Sequence, residues 1–536
     1  MDPMVNVPVD GFGLDGLVAD IPSPKRNARQ LSVAANIRIQ DGELATIPAT
    51  TVAHDFTTRT PVFGQAFYMS DDSGGHIVCF DDNTIVYIDS TGAEVDVTPT
   101  PAPTVTDYYY ACQVNDMFFL TNGTDLPWQL TQADAQTAQP FVTMLNWDPL
   151  YRARIFEPFK SYVVAAGITI SGAEQRSLVK WSHPLSPGDQ QLFWDHTDPT
   201  LLAGENQLAV SGRNITAVKA LRDNMLIFFD QSMWRMANVG GEYVMAFSKV
   251  FTDDGAAGPF SMADYDGTMI VVGFHDIYAT DGNTKQSLSD RRVTRLFYKN
   301  AVIDDQLKMA YYPERREMFI LHKTNASYNE ADTALIYNVD YGAFTMMRLP
   351  GPAGAGGAKQ FYLGPKFGQS DITYDETLGL GWTYDNQGET TYNSIRTTDD
   401  DIVFYLLSGE SNNLQAMDGQ LATVHEPALV YAELDRIDMQ ELFKSTGDKV
   451  KYISRMFPRA SGGGQLQLSV GVSMLPTGGV EWKGWTTHAL ATGWAVGARA
   501  AGRYLGLRMR MPAGETDMFT LQGLDMELMV PDAGRR

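Results

Sequence analysis

The stretch Asp223-Asn224-Met225-Leu226-Ile227-Phe228-Phe229-Asp230-Gln231-Ser232-Met233-Trp234-Arg235-Met236 decides the fold class. Asp and Asn open a turn by bonding their own backbone. Five apolar residues follow without a polar break, Asp230-Gln231-Ser232 turns the chain, and a mixed strand returns. An apolar run this short, bounded by turn residues, reads as a β-strand buried on both faces.

The same unit recurs outward in both directions. Downstream, Asp266-Gly267 precedes Met269-Ile270-Val271-Val272-Gly273, with Asp276-Ile277-Tyr278-Ala279-Thr280 behind it. A further copy is Met318-Phe319-Ile320-Leu321, then Ala334-Leu335-Ile336-Tyr337-Asn338 and Ala343-Phe344-Thr345-Met346. Upstream lie Ile77-Val78-Cys79-Phe80 with Ile85-Val86-Tyr87-Ile88, Met117-Phe118-Phe119-Leu120 with Trp128-Gln129-Leu130, and Tyr162-Val163-Val164-Ala165 with Leu178-Val179-Lys180-Trp181. The starts are spaced at roughly 40 to 60 residues, the range of four-stranded propeller blades. In that fold each inner strand is buried on both faces and loses its in/out alternation. Residues 55–350 are therefore expected to form a β-propeller-like body of about six blades, with a set of sandwiches as the alternative. Ile402-Val403-Phe404-Tyr405-Leu406 and Leu414-Gln415-Ala416-Met417 offer one more blade or an inserted β-region.

Beyond about residue 428 the pattern changes. Leu466, Leu468, Val470 and Val472 alternate with polar or small residues, as do Leu505, Leu507, Met509 and Met511. Leu524, Met526, Leu528 and Val530 follow the same rule after a phase slip at Gly523, which predicts a bulge. Period-2 strands have one wet face, so this segment predicts a C-terminal antiparallel β-sandwich. The fold class expected is all-β, in four segments: an N-terminal arm (1–54), the propeller-like domain (55–350), a connector containing Gly351–Gly357 (351–427), and the sandwich (428–536).

Composition fits this. Aromatics make up 11% of the 536 residues, with 48 Gly and 26 Pro, while charged residues are 20%; turn formers and aromatics together favour β-structure. No apolar run is long enough for a membrane span, and Met1-Asp2-Pro3-Met4-Val5 has neither a basic nor an apolar signal region. Cys79 and Cys112 are too few for a disulfide framework and read as buried thiols. The formal net charge is −23. Tight nucleic-acid binding normally needs a basic patch, whereas an acidic wall lets a polyanion pass without sticking; solubility alone also accounts for the charge.

Motifs for catalysis are scarce: there is no HExxH, CxxC, GxSxG or EF-hand loop. Gly351–Gly357 before Lys359 lacks the last glycine and the strand–helix context of a phosphate loop. His54, His76, His183, His196, His275, His322, His425 and His488 show no i,i+4 metal pair. The acidic groups Asp71-Asp72, Asp81-Asp82, Asp253-Asp254 and Asp399-Asp400-Asp401 suit calcium or glycoside chemistry, but read more simply as solvated turns. Trp482, Trp485 and Trp494 form either a sugar-stacking platform or part of a core or subunit interface. No catalytic, cofactor or metal residue is assigned.

Two stretches carry a resemblance. The first is Leu178-Val179-Lys180-Trp181-Ser182, Trp194-Asp195, Leu202-Ala203-Gly204-Glu205 and Ile215-Thr216-Ala217-Val218, running into the Asp223–Met236 unit and Val239-Gly240-Gly241. The second is Lys449-Val450-Lys451-Tyr452-Ile453, Arg455, Pro458, Gly502-Arg503-Tyr504-Leu505, Leu521-Gln522-Gly523 and Gly534-Arg535-Arg536. Together they resemble the tail nozzle, or tail-hub, proteins of short-tailed bacteriophages, from about residue 150 onward. The resemblance implies a structural, non-enzymatic virion protein without cofactor, assembled in the host cytoplasm. It implies six copies ringed around the tail axis, joined to the adaptor ring and portal above and to fibres or a needle below, with viral DNA passing transiently through. The basic segment Pro22–Gln30 is expected to dock on a neighbour or to form a plain loop. Rival expectations are a tail-borne β-propeller glycosidase with a polysaccharide-binding sandwich, and an off-axis fibre adaptor or receptor-binding protein.

Overall fold

The computed structural model describes residues 4–69, 74–186, 188–209, 213–240, 244–349, 357–367, 402–409, 411–417, 430–437, 450–476 and 479–529. Asp71-Asp72, most of Gly351–Gly357, Asp399–Asp401, His425, Gly241, Lys449, Val530 and Gly534-Arg535-Arg536 lie outside the described residues.

The chain is all-β, and each apolar run is the second strand of an antiparallel meander. In residues 215–251 the strands are Ile215–Leu221, Asn224–Phe229, Met233–Asn238 and Met245–Phe251, paired in sequence order. Met225 to Phe229 are all fully buried, as a strand covered on both faces must be. Comparable four-stranded sheets span 61–96, 110–143, 151–207 and 262–287. In the last, Asp266 and Gly267 both take positive φ, 47° and 69°, the geometry of a tight hairpin whose twist matches its strands. A sixth sheet joins Gln360–Pro365, Ile402–Ser408 and Asn413–Ala416, and its outer strand is Thr51–Asp55 from far upstream.

The propeller-like body of about six blades is not what these sheets build. None of them closes into a barrel or propeller; each four-stranded sheet stays open, with its own edge strands. The meander 308–348 is not a separate blade at all. It continues through Val33–Ala35 and Tyr431–Ile437 into the C-terminal strands as one twelve-stranded sheet. Continuous apolar runs report burial on both faces, and stacked open sheets provide that as well as a closed ring does.

The chain divides into two compact units. One comprises Thr51–Pro259 and Lys359–Met417; the other comprises Met1–Thr50, Phe260–Ala358 and Asp418–Arg536. In the second, the alternating strands appear where the period-2 pattern puts them: Leu466, Leu468 and Val470, then Leu505, Leu507 and Met509, then Leu524, Met526 and Leu528 are buried in one core. The register of Lys451–Gly462 against Phe519–Met529 slips between Arg459 and Ala460, so that Gln522 bulges beside Gly523. A Cβ on Gly523 would lie 2.9 Å from the Val9 carbonyl oxygen, which is why the smallest residue sits there.

Nor is the C-terminal segment a sandwich on its own. Its six-stranded sheet includes Val5–Val7, Ile37–Gln40 and Glu43–Thr46, and the twelve-stranded sheet includes Val33–Ala35. Residues before 50 are thus structural strands, with Phe12, Leu31, Ile37 and Leu44 in the same core as Met456 and Leu507. The basic segment is tied down too: Arg26 is buried and its Nη1 donates to Asp435 Oδ1 at 2.6 Å.

Candidate functional site

The sheet 151–207 brings a group of chemically capable side chains together. Lys180 lies on Ala173–Trp181, Tyr151 on Tyr151–Phe159 and Glu205 on Gly204–Gln207. Strand register sets Lys180 opposite Glu205, and directly opposed residues share a face. The Lys180 side chain is only 3% exposed, and its ammonium reaches Glu205 Oε2 at 3.4 Å and His196 Nδ1 at 3.2 Å. His196 Nε2 lies 3.6 Å from Glu205 Oε1, and the Tyr151 hydroxyl donates to Glu205 Oε2 at 3.4 Å. Burial pulls the Lys180 ammonium below its ordinary range, with the Glu205 charge opposing the shift.

Around this cluster the packing is aromatic. The Lys180 ammonium stands 5.2 Å over the Tyr151 ring, and Trp147, Phe156 and Trp194 meet edge-to-face. Trp181 Nε1 donates to the Leu202 carbonyl at 3.1 Å, and its indole lies where a Cβ on Gly204 would intrude at 2.3 Å. Ser182 Oγ accepts from the Val163 amide. Chemically, the group is a buried cation beneath a carboxylate and an imidazole, each partly open to solvent: a clasp that holds the loop carrying His196 onto the sheet.

The second set of resemblance residues also converges. Lys451 is wholly buried and its ammonium donates to the Arg503 carbonyl oxygen at 3.1 Å, while its backbone pairs with Gly502. Arg455 faces Glu527 across the strand pair, and Leu521 and Gly523 pair with Ala460 and Arg459.

The three C-terminal tryptophans do not form one platform. Trp482 and Trp485 both stack on the Arg508 guanidinium, at 4.5 and 4.4 Å, and Arg510 lies 4.2 Å over Trp485. Trp494 is apart from them, 74% exposed, with Phe457 as its ring neighbour at 5.4 Å. The acidic turns are occupied by their own backbone: Asp82 accepts from the Thr84 amide, and Asp195 and Asp198 do the same for Thr197 and Thr200. Asp254, by contrast, is buried and accepts from the Gly255 amide. Among the histidines, His54 pairs with Glu94 and His183 accepts from the Leu202 amide. His76 and His322 are buried, and burial holds both at about 4. Cys79 and Cys112 are free, buried thiols, both pushed up by burial. Among the described residues no three His, Cys, Asp or Glu side chains gather as a metal site, and no helix is long and apolar enough to cross a membrane.

The sequence marked Lys180 and Glu205 as familiar positions but not as partners, because their contact depends on strand register. The tie of His196 and Tyr151 to them carries no local signal.

No known protein family and no curated protein matches this chain. Similar solved structures include the computationally designed Ika8 protein, at 10% identity over 74% of this chain and 98% of that one, with a TM-score of 0.36. BBS1N, in complex with ARL6DN, is 9% identical over 70% of this chain and 99% of its own, with a TM-score of 0.39. The extracellular domain of BT4673 from B. thetaiotaomicron is 10% identical over 54% of this chain and 37% of its own, with a TM-score of 0.31.

Proposed function

We propose that the chain is a structural subunit of a short phage tail, one copy in the nozzle ring through which DNA leaves the particle. The observation that supports this reading is the convergence of the residues carrying the resemblance. Lys180, Trp181, Ser182, Trp194, Gly204 and Glu205 are scattered over 26 positions of sequence, yet they interlock within one sheet and its loop. Lys451, Arg455, Gly502, Arg503 and Gly523 do the same in the six-stranded sheet.

On this reading the protein's work is geometric. Six copies hold a bore of fixed width in the virion tail, after assembly in the host cytoplasm, and pass attachment signals between fibres and portal. The net charge of −23 favours acidic groups along the bore, where they repel phosphate and keep DNA moving. The test is averaged electron microscopy of virions labelled at the C-terminus of this chain. Sixfold label around the tail axis below the portal is the expected result. Label on peripheral appendages alone, or a bore lined mainly by Lys and Arg, overturns the ring assignment or its electrostatic part respectively.

A second reading rests on Trp494. An exposed indole beside Phe457 suits a polysaccharide chain, whose sugar faces stack on aromatics. Binding of host polysaccharide that disappears in Trp494→Ala would favour an adaptor or receptor-binding role.

A further inference from the structure

Two imidazoles hold the loop between Trp181 and Gly204, and both do so as hydrogen-bond acceptors. The Leu202 amide donates to His183 Nδ1 at 3.0 Å, and the Lys180 ammonium donates to His196 Nδ1 at 3.2 Å. Neither donor can reverse its role, because a backbone N–H and an ammonium have no lone pair to offer. Each ring must therefore keep Nδ1 bare and carry its one proton on Nε2. For His196 that tautomer also turns an N–H toward Glu205 Oε1, 3.6 Å away. An imidazolium has N–H groups on both nitrogens and accepts nothing. One more proton on either ring thus sets a donor against a donor at Nδ1.

The loop is firmly fixed at its two ends. Leu192 and Trp194 are buried in the aromatic core, and Asn146 donates to the Leu192 carbonyl at 3.0 Å. Beyond the loop, Gly204 pairs with Trp181 in the sheet. Between these anchors Asp195 and Asp198 accept from Thr197 and Thr200 inside the loop itself. Among the described residues, the hydrogen bonds and ion pairs from 195–203 to the sheet are the contacts of His196 with Lys180 and Glu205, the Leu202 amide on His183, and the Trp181 indole on the Leu202 carbonyl. Two of the three attachments therefore depend on a bare imidazole nitrogen.

The charges around His196 decide which group gives way. Lys180 and Glu205 face it from the sheet, with the Tyr151 hydroxyl on Glu205. Asp195 stands beside it in the loop, and Asp148 acts on Lys180 and Tyr151. The three carboxylates attract a cation, whereas the Lys180 ammonium repels one at the nearest contact. Lys180 is buried and set opposite Glu205 by strand register. His196 is 36% exposed on a loop, so the imidazole is the partner that moves. Around His183 the backbone is pinned: its amide donates to the Phe193 carbonyl at 2.8 Å and its carbonyl accepts from Ser182 Oγ at 2.9 Å. There Leu202 is the partner that leaves.

We propose that residues 195–203 form an acid-released strap: neutral His183 and His196 latch it onto the sheet, and a second proton on each ring lets it go, uncovering the Trp181 indole and the Lys180–Glu205 pair. Histidine is the side chain that makes this change between about pH 8 and 5. The experiment is amide hydrogen exchange of the full chain, with each rate divided by the intrinsic rate at the same pH. Protection over 195–203 should fall about tenfold between about pH 7.5 and 5, while strand Tyr162–Ile170 keeps its own. In the double variant His183→Asn with His196→Asn, amide oxygens accept in place of Nδ1 but take up no proton, so the strap should stay protected in acid. Equal protection of the wild-type strap at both pH values overturns the proposal. So does a fall that Tyr162–Ile170 shares, which is general acid unfolding, or a double variant that follows the wild type. A double variant already unprotected at neutral pH passes the decision to Lys180→Met, which removes the ammonium opposing the second proton on His196. There a release midpoint moved to lower pH supports the latch, and an unchanged one sinks it.

Discussion

The meanders of residues 51–259 and the large sheets of the other unit are both β-structure, but they are assembled by opposite routes. In 215–251 every strand pairs with its sequence neighbour. In the six-stranded sheet, Thr520 and Leu521 pair with Ala45 and Leu44, partners more than 470 residues away. Closing so long a loop costs chain entropy before any contact is gained. The first kind of sheet stands on local contacts, and the second stands only when both ends of the chain are present.

The largest expected effect breaks that comparison outright. Removing residues 1–50 takes six strands from the two large sheets and none from the unit formed by 51–259 and 359–417. Amide hydrogen exchange should show Tyr504–Arg510 and Phe519–Met529 losing protection, while Asn224–Phe229 keeps it. Equal loss in both would mean that the two kinds of sheet form as one cooperative block.

Acid comes next, because each unit carries a buried histidine that burial holds at about 4. His76 donates through Nε2 to the Pro365 carbonyl and accepts the Tyr362 hydroxyl at Nδ1 in one unit, and His322 packs on Phe297 in the other. Both sit at about 4 when folded, against about 6.5 in an unfolded chain. Between those values the unfolded chain binds a proton that the folded chain refuses, so stability is full above pH 6.5 and falls as pH drops toward 4. Each histidine is expected to remove about 3 kcal/mol over that span. Urea midpoints measured from pH 7 to 4.5 should show the fall, and His76→Leu should flatten it for the meander unit alone.

Glu205→Ala tests a single contact in the meander unit. It leaves the Lys180 ammonium, 3% exposed, without its carboxylate. Because Glu205 itself is partly open to water, a loss of about 2 kcal/mol is expected. Lys180→Met, which removes the buried charge along with the pair, should cost less than half of that. If the two variants are equally damaging, packing rather than charge holds the loop.

How much of this was legible follows the same division. The runs at Met225, Met269 and Met318 marked their strands because burial on both faces writes itself into consecutive residues. Alternation at Leu466, Leu505 and Leu524 marked one-sided burial just as directly. What did not show was anything set by pairing at a distance. Arg38 meeting Glu317, Val33–Ala35 seated between Ala343–Arg348 and Tyr431–Ile437, and Lys180 meeting His196 depend on register and on the path of the chain. The expectation of a propeller failed for that reason: local runs specify each sheet but not what happens at its edges.

The smallest expected effect falls on Trp494, and its smallness is informative. An indole that is 74% exposed and touches one ring adds little to the fold, so Trp494→Ala should change stability by about 0.5 kcal/mol or less. Trp485, stacked on two guanidinium groups, should cost about 3 kcal/mol when truncated to alanine. Denaturation of the two variants side by side separates a tryptophan that builds the sheet from one that the sheet displays. A large loss at Trp494 would place it among the structural residues and remove the exposed surface on which a polysaccharide or a neighbouring subunit would dock.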